Sequence, residues 1–166
     1  MKTSFSRKAF LAAMASLMLA GTVSQSPLMV TAHEADCPVC NLPVVQDTAE
    51  QDNEVKMRYG RKRIEYRCVY CALSEAQNEL KNGDVSIAAP SETKGKPVLL
   101  KRVNGQWTAT PSTAVFVAEK VKHKHCQTGY RALTNRAAFD AYAKKHKAVI
   151  GDAKPLTLTQ MLEVAK

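Results

Sequence analysis

The chain has 166 residues, 24 Lys and Arg against 15 Asp and Glu, a hydrophobic fraction of 45% and five cysteines. That length holds one compact domain and excludes a large multidomain enzyme. The charge is unevenly placed: residues 1–32 carry Lys2, Arg7 and Lys8 and no acid, so the rest has 21 cations against 15 anions, a net +6.

The first segment is a basic start followed by the uncharged apolar run from Ala9 to Gly21. It is too short to span a bilayer comfortably and has the form of a secretory signal peptide. Val30-Thr31-Ala32 offers a cleavage site, with an earlier cut near Thr22 to Ser24 as the alternative. The expectation is a leader over 1–32 and a single exported domain over 33–166, periplasmic or secreted. Cys37 follows Glu34-Ala35-Asp36, which is not a lipidation context, so no stable membrane anchor is expected.

Residues 22–36 read as spacer. From Glu54 to Cys68 the sequence alternates, with Val55, Met57 and Tyr59 on one face and, past Gly60, Ile64, Tyr66 and Cys68, which predicts a β-hairpin. Its other face carries Lys56, Arg58, Arg63 and Arg67 around Glu65 and reads as a solvated sheet face, with no nucleic-acid partner. From Cys71 the spacing turns helical through Ala72, Leu73, Ala76 and Leu80, ending at Asn82-Gly83.

Strands are expected at Val85 to Ala88, Lys96 to Val103 and Gln106 to Thr110, the last two joined by Asn104-Gly105, a strong hairpin signal. Thr113 to Val121 is apolar and β-branched and fits a strand or a short helix by periodicity, with a strand the favoured reading. Asn135 caps a helix to about His146, and Thr157 with Gln160 forms a capping box before Met161 and Leu162. The layering is α+β, built from small hairpin-and-helix (ββα-like) units in two halves of one compact domain.

Chemistry concentrates in the cysteines. Cys37-Pro-Val-Cys40 and Cys68-Val-Tyr-Cys71 are two C-x2-C pairs that the hairpin returns to each other. Each such turn aims two sulfurs inward, which suits a tetrathiolate metal centre of Cys37, Cys40, Cys68 and Cys71. In an oxidising compartment the same pairs also suit structural disulfides, or a redox couple. Five thiols cannot all pair, and the fifth lies in His123-Lys-His125-Cys126, a soft donor set for a second, exchangeable site. A cut after Ala32 would also make His33 an amino-terminal chelate. Zn(II) is the expected occupant of the four-Cys site and Cu(I) of any site near Cys126.

The order C-P-V-C, glycine-turned hairpin, R-C-V-Y-C and helix resembles the TRASH/YHS type of metal-binding module. The later Val103-Asn-Gly-Gln-Trp-Thr, Thr113-Ala-Val-Phe-Val, Arg131-Ala-Leu-Thr-Asn-Arg-Ala-Ala-Phe and Lys154-Pro-Leu resemble NosL-type accessory proteins of nitrous-oxide reductase assembly. Asn41-Leu42 stands where that family usually has Gly-Met, removing a soft Met ligand. The resemblance implies a periplasmic copper-binding protein that hands metal to a metalloenzyme or copper-handling partner in the envelope. With no Ser/His/Asp set, nucleotide loop or paired carboxylates, no catalytic residues are expected and the chain reads as a non-enzyme. The alternatives are an envelope thiol–disulfide redox protein and an adaptor stapled by disulfides or zinc.

Overall fold

The computed structural model describes residues 35–44, 54–122 and 126–166. The expected leader, His33, His123 and His125 lie outside the described residues, and the described residues all fall in one compact unit. Among the described residues no helix is long and apolar enough to cross a membrane.

A short antiparallel pair, β1 (Ala35–Asp36) and β2 (Pro43–Val44), brackets the first C-x2-C turn. The hairpin follows as β3 (Val55–Tyr59) and β4 (Lys62–Tyr66), turning at Gly60 with φ +57. Its alternation is the expected one, since Val55, Met57 and Tyr66 are buried while Arg58 and Arg63 pair across the outer face. Helix α1 (Val69–Asn78) starts two residues earlier than the apolar spacing suggests and buries Val69, Ala72, Leu73 and Ala76 on one stripe.

Strands β5 (Val85–Ala89), β6 (Val98–Val103) and β7 (Gln106–Thr110) then extend the hairpin into one antiparallel sheet of order β4-β3-β5-β6-β7. The sheet thus continues past the end of the first expected hairpin-and-helix unit, β3-β4-α1. β5 pairs with β3, setting Ile87 beside Met57, and carries the sheet straight across that boundary. The cause is a shared apolar row: Met57, Ile87 and Leu100 are adjacent in register and each wholly buried. Asn104 and Gly105 both have positive φ, +49 and +78, as a two-residue hairpin turn of the primed kind requires.

The expected strand near Thr113 is β8 (Val115–Lys120), paired to β9 (Thr128–Leu133), which the sequence pattern did not disclose. On this pair lie α2 (Arg136–Lys145), whose Asn135 cap accepts the Ala138 N–H at 2.9 Å, and the short α3 (Lys147–Ile150). They bury Phe139 and Ile150 against Val117 and Leu133. The last helix, α4 (Leu158–Val164), opens on the expected Thr157–Gln160 capping box. The result is an α+β fold in which α1 meets β3, β4 and β5 and also β9 and α4. That central position matters because α1 carries two of the cysteines at its start.

Candidate metal centre

The first C-x2-C turn is closed by backbone bonds at both ends: the Asn41 N–H donates to the Cys37 carbonyl and the Cys37 N–H to the Leu42 carbonyl, each at 2.8 Å. Closing it puts Asn41 at φ +53, a left-handed position that Asn tolerates better than most residues. The second pair is set by α1, with Cys68 the extended N-cap residue and Cys71 in the first turn. The hairpin between them folds one pair onto the other.

The sulfurs of Cys37, Cys40 and Cys71 all lie within 4.8 Å of one another. Cys68 Sγ lies 3.6 Å from Cys71 Sγ, so all four expected ligands gather around Cys71. Cys37, Cys68 and Cys71 are buried and Cys40 is half-buried; no disulfide joins them.

The thiols polarise one another strongly. A hydrogen bond from the Cys71 thiol holds Cys37 down to about 5, against the cost of burial, helped by the amides of Arg67, Cys40 and Val39. The same Cys71 thiol brings Cys68 down to about 7, against burial, with help from the amides of Cys71, Tyr130 and Tyr70. Cys71 is correspondingly pushed up, first by the thiolates it faces at Cys37 and Cys68 and then by burial. Burial pushes Cys40 up to about 11. Beneath the cluster, the wholly buried Tyr66 has no hydrogen-bond partner for its hydroxyl among the described residues. Its ionisation is suppressed by burial, by Glu75 and by the Cys37 and Cys71 charges. A dense set of buried thiolates is the donor chemistry of a soft cation, which would neutralise charge that here rests on shared protons.

A cleft of about 600 Å³ opens onto this cluster, walled by Cys40, Cys71, Cys126, Tyr70 and Tyr130. Tyr70 and Tyr130 stack with ring centroids 5.7 Å apart. Cys126, expected in a second site with His123 and His125, thus faces the same cleft as the four-Cys group. Strand β9, missed in the sequence, contributes Tyr130 to the cleft and its amide to Cys68. On the far side of that strand, Arg131 donates to Glu119 at 3.0 Å, and the Tyr142 hydroxyl donates to the same carboxylate oxygen.

The polarised thiols predict how metal binding follows pH. Between about pH 5 and 7 the metal-free protein holds protons on Cys68, Cys40 and Cys71, so binding to all four sulfurs should release about three. Above about pH 7, once Cys68 has ionised, it should release about two. Affinity therefore rises with pH, and its slope against pH becomes shallower near pH 7. Chelator-competition titrations from pH 5.5 to 9 check this; a pH-independent affinity would exclude the thiols as ligands.

No protein-family model matches the chain, and no curated protein matches its sequence. Among solved structures, the fold is similar to that of "the mercury-bound form of MerB2", with a TM-score of 0.52 and 16% identity over 67% of this chain. The chain spans 55% of the length of that protein. The likeness shows a shared fold, and the sulfur cluster shows a group able to hold a thiophilic metal.

Proposed function

We propose that the protein binds a thiophilic metal ion as cargo in the envelope, as a copper chaperone or metalloprotein-assembly factor, without catalytic turnover. The observation that carries this reading is the convergence of Cys37, Cys40 and Cys68 on Cys71, with Cys40 at an open cleft. A closed structural zinc site would bury all four ligands alike. Here one ligand is accessible, as an exchangeable ion requires. The donors are all sulfur, which suits Cu(I) or Zn(II), and a three-sulfur group with the fourth sulfur set beside only one of them favours Cu(I), the ion that accepts fewer ligands. The mercury-bound structural neighbour supports a soft ion in this fold, and the NosL-type resemblance supports a copper-handling envelope partner.

Metal analysis of protein purified anaerobically from its native envelope tests the reading. The expected result is one copper per chain in a sulfur-only shell by X-ray absorption. Four-sulfur zinc would replace the cargo role with a structural one. The 3.6 Å separation of Cys68 and Cys71 favours one second reading, a thiol–disulfide protein. That reading requires metal-free protein with a reversible two-electron couple.

A further inference from the structure

Resting on the metal reading above, we infer that Cys126 is the entry thiol of this centre, and that the cleft admits the metal as a complex with a small organic thiolate. The cleft is far larger than an ion needs. Its volume of about 600 Å³ is that of a small-molecule site. Its lining is correspondingly two-sided, with sulfur from Cys40 and Cys71 and organic surface from the Tyr70 and Tyr130 rings. At its edge stand Val39 and Val164, 36% and 41% exposed, two of only four exposed large apolar side chains among the described residues. Exposed valines beside a polar thiol centre give an organic substituent somewhere to lie while its sulfur is exchanged.

Cys126 occupies the position such an exchange needs. It shares the large cleft with Cys40 and Cys71 and also borders a smaller pocket with Cys68, so it lines cavities reached by sulfurs of both C-x2-C pairs. Among the described residues its sulfur makes one hydrogen bond, donating to the Thr128 carbonyl at 3.4 Å, which engages the thiol proton and not the lone pairs. In the first step the Cys126 sulfur attacks the metal of RS–M–SR. A Cys126–metal bond forms, one RS–metal bond breaks, and the departing thiolate takes the proton Cys126 gives up and leaves as RSH. In the second step Cys71 displaces Cys126 from the metal and returns a proton to it. Cys40 then displaces the remaining RS group, which leaves as the second RSH. Bonds and protons balance at each step, and no electrons are transferred.

The test is uptake of Cd(II) by the full reduced chain, followed by the charge-transfer absorption of its thiolate bonds. The ion is offered either as the aquo ion or as its glutathione complex, to wild type, Cys126→Ser and Cys126→Ala. The expected result is unchanged final occupancy and affinity in both variants, with transfer from the glutathione complex slowed roughly tenfold or more and aquo-ion uptake little changed. Equal transfer rates would make Cys126 a bystander and overturn the inference. A fall in occupancy or affinity matching that of Cys40→Ser would make it a resident ligand and overturn it too. Wild-type protein taking up no Cd(II) in either form would overturn the metal reading itself.

Discussion

Replacing Cys71 by Ser is expected to cost the centre more metal affinity than any other single change. Structural sites of the zinc-finger kind bind Zn(II) with about 10–16 kcal/mol, so one of four ligands carries roughly 2.5–4 kcal/mol, or about sixty- to several-hundredfold in affinity. Cys71 exceeds that share because it is the sulfur the others gather around, 3.6 Å from Cys68 and within 4.8 Å of both Cys37 and Cys40. Its removal leaves the Cys37 and Cys40 sulfurs as a pair and Cys68 by itself, with no sulfur joining them. Cys40→Ser is expected to be milder, since Cys40 is half-buried at the cleft and water can fill its place. Chelator competition gives the affinities, and thermal melts with and without metal show whether the stabilisation by metal disappears with Cys71. Equal affinities for wild type and Cys71→Ser would remove Cys71 from the centre.

The second large effect concerns a residue outside the centre. Arg102 is buried, and among the described residues no carboxylate pairs with it. Its guanidinium reaches from β6 to the end of α1, donating to the carbonyls of Ala76, Leu80 and Gly83, and lies 5.5 Å from the Trp107 ring centroid. Without it the buried Ala76 carbonyl in the last turn of α1 would lose this donor, as would the less buried Leu80 and Gly83 carbonyls just past the helix, and the cation also faces the negative end of the helix. Arg102→Met keeps the length and removes every donor, and is expected to destabilise the metal-free protein by about 2–4 kcal/mol. Arg102→Lys should recover only part of this, because one ammonium cannot span the fork. Urea unfolding measures both; a loss below about 0.5 kcal/mol for Arg102→Met would show that water replaces the guanidinium.

Arg102 also shows where the sequence stops being readable. Val98, Leu100 and Arg102 share one face of β6 by alternation, so position 102 is marked as inward, yet arginine there looks like a strand end. Only the carbonyls of α1, over twenty residues upstream, make burial favourable. Strand β9 is hidden for a similar reason. Arg131 is buried within it and is balanced by Glu119 on β8, a pairing across the turn that no local pattern displays. By contrast, the first hairpin, the Asn104-Gly105 turn, the Asn135 cap and the Thr157–Gln160 box were legible, because neighbours in the chain decide each of them. The four-Cys group was legible for the same reason, as spacing alone carries two sulfurs per turn. The place of Cys126 was not, since it depends on β9 lying against α1.

The helix that presents Cys71 has little local reason to form. It spans ten residues, has no acid in its first turn and no base in its last, and its N-cap side chain makes no capping hydrogen bond. A segment so short and so poorly signalled stays largely uncoiled in isolation. Its far end waits for a strand that the ribosome delivers some twenty residues later. An unfinished chain therefore has at most local pairs of thiols, and the four sulfurs converge only after long-range strand pairing is complete. Metal capture becomes a late event that reports on a finished fold, and an unfinished chain competes poorly for the ion.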